Sequence, residues 1–179
     1  MPSRVGRALI VHKYNKIRRP IHMINLIRIV ILTILLIPIT IIDFRKKIIP
    51  NSLVIIGALS GIILLFFEFD WTYIWGMVFG LGLFVAIILL SELILKQQGM
   101  GEGDAKLMGV VGILLGLPNT ILTTFLSFFS GAIFSIIALK SGKVKPGTEI
   151  PFGPFIALGA IISAIWGQAI IGWYLGMLM

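Results

Sequence analysis

Asp43 and Asp104 are the residues of this chain whose type and placement could do chemistry. Each stands at the edge of a long apolar run, Asp43 in IIDFRKK and Asp104 in GMGEGDAKLMG. A carboxylate at a membrane edge gives up part of its hydration, so the neutral form of such a group is favoured. Where two of them meet, both cannot ionise at low cost, and one proton is shared between them. A water held between the ionised and the protonated carboxyl is then deprotonated by one while the other protonates a carbonyl oxygen. That is peptide hydrolysis by acid–base catalysis, with no metal and no covalent intermediate. The glycines of GEGD suit this chemistry: Gly101 and Gly103 flank Glu102, and glycine permits positive φ and a close approach to a substrate strand. Free backbone groups in such a loop can pair with an extended peptide by strand addition. Asp104 is expected at the N-cap of the helix that follows.

Each residue also has a plainer reading. Asp104 and its glycines fit a helix cap after a turn. Asp43 fits a partner for Arg45 or Lys46 at an interface where long basic side chains snorkel. Glu92 reads as interfacial, and Glu68 and Asp70 as loop charges on the other side of the membrane. The chain has no cysteine, which excludes a disulfide framework, a thiol nucleophile and a cysteine zinc site. Both histidines, His12 and His22, precede the first apolar run, so histidine catalysis within the spans is not expected.

The elements that must position the two aspartates are membrane helices. A mean hydropathy of +1.08 with 12% charged residues lies far from a soluble domain, and 179 residues are largely consumed by spans of about 20 residues each. The chain is therefore expected to be all-α, a polytopic membrane protein with about six transmembrane helices and no separate soluble domain. The apolar runs are 23–42, 52–67, 71–95, 105–117, 120–139 and 155–179. The fourth is short for a span, and LPN is read as the break that ends it. Pro and Gly in SGKVKPGTEIPFGPF forbid a continuous helix before the sixth. Trp71, Tyr73 and Trp75 form an aromatic cluster suited to one interface. Recurrent small residues such as Gly76, Gly80, Gly109 and Gly112 read as sites of close helix packing.

Loop charges orient these spans. Arg45, Lys46 and Lys47, then Lys96 and Lys106, then Lys140, Lys143 and Lys145 follow the first, third and fifth runs, which makes that side cytoplasmic and places Asp43 and Asp104 there together. A net charge of +8 is explained by this bias and by attraction to anionic headgroups, so nucleic acid is not an expected partner. The basic residues Arg4, Arg7, Lys13, Lys16, Arg18 and Arg19 object to the orientation, because they should also stay inside. Met23 therefore reads as the native start, with residues 1–22 as a basic N-terminal segment that is not native or lies on the surface, and 23–179 as the membrane domain. An uncounted upstream element is the remaining alternative.

Asp43 with KKIIPN after it, the run GMGEGDAKLMG, and EIPFGPFIALGA at the last span together resemble the peptidase domain of bacterial type IV prepilin peptidases, which are GxGD intramembrane aspartyl proteases. The resemblance runs from about Ile24 to the end. It implies that Asp43 and Asp104 are the catalytic pair and that Gly101, Glu102, Gly103 and Lys106 form the motif around the second. It further implies structural or substrate-lining roles for Pro50 and Asn51 and for Pro151, Phe152, Gly153 and Pro154. The implied substrates are prepilin or pseudopilin precursors, with a short basic leader ahead of an apolar helix, cut at the cytoplasmic face of the bacterial inner membrane. No cofactor is implied for that step. Glu102 and Glu149 are candidates to attract the basic leader. Full-length members carry a further N-terminal span and a cysteine-rich zinc-binding loop tied to N-methylation, so in this cysteine-free chain methyltransferase activity is not expected. The competing class is a small ion-coupled transporter or a non-catalytic pilus or secretion assembly factor in which the aspartates bind a cation or proton. Transport sites usually lie near the midplane between repeated halves, and neither holds for these aspartates.

Overall fold

The computed structural model describes residues 4–96, 100–142, 148 and 150–178, with side chains from Met23 onward apart from residues 95 and 178. It contains six helices: α1 (Arg4–Lys46), α2 (Asn51–Phe67), α3 (Trp71–Leu95), α4 (Glu102–Leu115), α5 (Leu117–Lys140) and α6 (Gly153–Leu178). Four stretches have the length and hydropathy to cross a membrane, Met23–Lys46, Trp71–Ile94, Leu117–Lys140 and Gly153–Met177. The protein is a multi-pass membrane protein. The expected six spans are thus six helices of unequal reach, because α2 has 17 residues and α4 has 14.

α4 is the short helix in the centre. It touches each of the other five helices, and apart from its first two residues and Lys106 every residue of it is buried. At 1.5 Å per residue it extends about 21 Å, short of a hydrocarbon core of about 30 Å. Its neighbours shield it from lipid, so it need not match that thickness. Around it, α1 turns Leu32, Leu36 and Ile39 inward while Ile34, Ile37 and Ile41 face outward, a 3.6-residue periodicity with lipid in the place of water. The break expected at LPN lies at Gly116, directly before it. α5 begins at Leu117 with Pro118 in its first turn, where the missing N–H costs no intrahelical bond.

α3 and α4 cross at small residues. A Cβ on Gly112 would run into the carbonyl of Gly76 and lie 2.5 Å from the backbone nitrogen of Met77, and one on Gly76 would lie 2.5 Å from the carbonyl oxygen of Gly112. Close approach of this kind is how helices associate where lipid removes the hydrophobic incentive. The buried polar face of α5 is satisfied within the helix: Thr120, Thr123, Thr124 and Ser127 donate to the carbonyls of Gly116, Asn119, Thr120 and Thr123 at 2.7 to 2.8 Å. Those hydroxyls then act as small packing groups.

Candidate active site

Asp43 continues the buried stripe of α1. Residues 32, 36, 39 and 43 recur at helical spacing, so the register that buries Leu32 and Ile39 carries the carboxyl of Asp43 inward, leaving it 4% exposed. Asp104, 7% exposed, lies in the first turn of α4. It is not the N-cap that the sequence suggested. Gly101 caps α4 with φ −73° and ψ 139°, and Asp104 sits three residues on, its N–H bonded to the Gly101 carbonyl at 3.1 Å. An acidic side chain at this position reaches back to the backbone of the cap, which is why the cap itself needs no side chain.

The glycines also act differently from the expectation. Gly101 has negative φ and Gly103 lies within the helix. GEGD is therefore a helix start and not an extended edge laid out for strand addition. What Gly103 supplies is space: a Cβ there would lie 2.8 Å from Cβ of Ile49, so the IIPN segment after α1 packs directly on the GEGD turn. Pro50 caps α2, and Asn51 is exposed at its first residue.

The third block closes the site. The buried N–H of Gly153, at the start of α6, donates to Oδ2 of Asp43 at 2.9 Å. A Cβ on Gly153 would stand 2.7 Å from that oxygen. Phe152 anchors the approach, with its ring centroid 5.2 Å from Phe128, 6.1 Å from Phe84 and 6.0 Å from Phe155. Pro151 and Pro154 flank it, half-buried. Asp43 thus takes this backbone N–H in place of the ion pair with Arg45 or Lys46 that its plainer reading implied.

Asp43 and Asp104, far apart in the chain, come together at one end of the bundle. Burial first, and the charge of Asp43 second, push the Asp104 carboxyl up to about 7, against the opposing pull of the Gly101 backbone. Two desolvated carboxyls in mutual range, one of them neutral near pH 7, have what is needed to remove a proton from a water and give one to a carbonyl. Not every expected residue joins them. Lys106 and Glu102 face outward and pair with each other at 3.7 Å, with side chains 44% and 71% exposed. Glu149 lies outside the described residues.

The opposite end of the bundle holds a residue that the sequence reading passed over. Arg28 is 1% exposed, donates from Nη1 to the Ile113 carbonyl at 3.2 Å and from Nη2 to that of Leu64 at 3.4 Å, and lies 3.7 Å over the ring of Tyr73. Tyr73, expected at the interface with Trp71 and Trp75, is half-buried, with its ring against Arg28. An arginine inside an apolar run was the available signal, since a charge at membrane depth needs a partner. A cavity of about 380 Å³ opens beside Arg28, lined also by Asn25, Asp70, Asn119 and Gln168.

The chain is 33% identical over 144 residues to a prepilin leader peptidase/N-methyltransferase of Stutzerimonas stutzeri, covering 78% of this chain and 50% of that protein. The protein of that name from Pseudomonas aeruginosa is 33% identical over 144 residues, covering 78% and 49%, and that from Legionella pneumophila is 32% identical over 151 residues, covering 81% and 52%. The chain thus spans about half the length of the curated relatives it matches. No solved structure matches it. Residues 30–136, which include both aspartates, match the type IV leader peptidase family, and the chain belongs to that family.

Proposed function

We propose that this chain is an aspartic endopeptidase that removes the basic leader from type IV prepilins or pseudopilins, with Asp43 and Asp104 as its catalytic pair. The observation that carries the reading is the meeting of two buried carboxyls, from the end of α1 and the start of α4, where the charge of one acts on the other. A water between them adds its oxygen to the scissile carbonyl carbon as one carboxylate takes its proton and the other carboxyl protonates the carbonyl oxygen. Collapse of the resulting gem-diol breaks the C–N bond. The leaving nitrogen takes the proton drawn from the water, the hydroxyl proton returns to the second carboxyl, and both groups are restored. Lysine and arginine in the connections at this end support a cytoplasmic active site in the inner membrane. The reading is confined to the peptidase step, the chain spanning about half the length of the curated relatives it matches.

The test is to mix the purified chain in detergent with a model prepilin carrying a basic leader and to locate the cut by mass spectrometry. Wild type removes the leader in front of the apolar helix. Asp43→Ala and Asp104→Ala, each still folded, lose about 10³-fold or more. Cleavage by both variants at the wild-type rate would return Asp104 to a helix-start residue and Asp43 to a structural acceptor.

A further inference from the structure

The two aspartates are not equivalent. Asp43 is met by another element: the first residue of α6 points its N–H at Oδ2, 2.9 Å away in a buried position, from the positive end of a 26-residue helix. Asp104 has its backbone hydrogen bond within its own turn, at Gly101. The charged side chain acting on Asp104 is Asp43. A backbone N–H given to a carboxylate favours its ionised form, and the glycine is needed because a Cβ at 153 would stand 2.7 Å from the oxygen it serves.

We infer that Gly153 is a positioning residue that fixes the roles within the pair: its N–H holds Asp43 as the ionised base and leaves the shared proton on Asp104, the acid. This rests on the catalytic reading above. Asp43 then takes the proton of the attacking water and later delivers it to the leaving nitrogen, while Asp104 protonates the carbonyl oxygen and recovers that proton when the gem-diol collapses. The aromatic cluster of Phe84, Phe128, Phe152 and Phe155 holds Gly153 in place, so the asymmetry is built into the resting fold and does not wait for substrate.

Difference infrared spectroscopy of the whole chain at mildly acidic pH reads the proton directly. The carbonyl stretch of a buried, protonated carboxylic acid is expected in wild type and in Asp43→Asn, and lost in Asp104→Asn. Loss in Asp43→Asn with retention in Asp104→Asn overturns the assignment. A second arm removes the N–H without adding a side chain, by placing glycolic acid at position 153 so that the amide becomes an ester. The acid limb of the pH profile of kcat/KM is expected to move up by about one unit, and an unmoved limb in a variant that still cleaves overturns the role of Gly153. Gly153→Ala, which crowds Oδ2, should lower kcat with the KM for prepilin little changed. The infrared arm needs no substrate, so a chain that shows the expected bands but cleaves nothing would overturn the proteolytic reading while leaving the proton assignment standing.

Discussion

The two ends of this bundle bury charge in opposite ways. At one end Arg28 lies against the last turns of α2 and α4, where the helix dipole is negative, and it gives a hydrogen bond to a carbonyl of each. Tyr73 covers the guanidinium face. At the other end two carboxyls of like sign are desolvated together, with the N–H of Gly153 on one of them. Charge meeting opposite dipole ties helices together. Like charges brought together cost stability, and on the proposed catalytic reading that cost serves acid–base work, which needs one carboxyl neutral and one ionised at the same pH. Fifteen residues separate Arg28 from Asp43 along α1, about 22 Å, so one helix joins the locked end to the reactive one.

Removing the lock should give the larger stability change. Arg28→Met keeps the volume of the side chain and strips its donors from the carbonyls of Ile113 and Leu64, at an expected cost of about 2–3 kcal/mol. For a chain of this size that lowers Tm by about 6–10 °C, measurable by thermal denaturation in detergent. Arg28→Lys should recover only part of it, since an ammonium cannot span two carbonyls as the planar fork does. If Arg28→Met melts with wild type, the cation does not hold α1, α2 and α4 together and the contrast between the two ends fails.

A smaller loss is expected where α4 is pinned between them. In Gly112→Ala the new methyl meets the backbone of Gly76, which cannot rotate away, so α3 and α4 must separate. Overpacking of this kind costs about 1–3 kcal/mol, and it moves the helix that carries Asp104. Gly82→Ala is the matched control on α3, with nothing within 4 Å of its added carbon, and there helix propensity alone should make the change neutral or slightly stabilising. Equal melting temperatures for the two variants would mean that the crossing has slack.

Much of this was legible in the sequence because periodicity and composition act locally. Six apolar runs became six helices, and GEGD, IIPN and PFGPF converge on Asp43 and Asp104. What could not be read depends on partners distant in the chain. Nothing local to Gly153 says that its N–H serves a carboxylate 110 residues away. Gly103 was read for backbone freedom, and its use is room for Ile49. Pro118 read as a stop because proline breaks a helix interior, whereas position within the helix reverses that meaning. The pairing of Arg28 with the ring of Tyr73 likewise leaves no trace in spacing.

The pH dependence of stability tests whether the acidic end is costly at rest. Asp104, at about 7 in the folded chain against an ordinary 3.8, binds more protons folded than unfolded between those values. Its contribution to stability is therefore fully present below about 4 and is lost as pH rises through 7. Wild type should melt progressively lower from pH 5 to pH 8. Asp104→Asn, which cannot ionise, should flatten that slope and raise Tm at pH 8, while losing cleavage. Asp70→Asn supplies the opposite case. Hydrogen bonds from Thr72 hold the Asp70 carboxyl below its ordinary value, so the slope from pH 5 to pH 8 should be the same with or without it. A wild-type Tm that does not fall between pH 5 and pH 8 would mean that Asp104 is ionised at little cost, and the two ends would then differ in the sign of their charge but not in what that charge does to the fold.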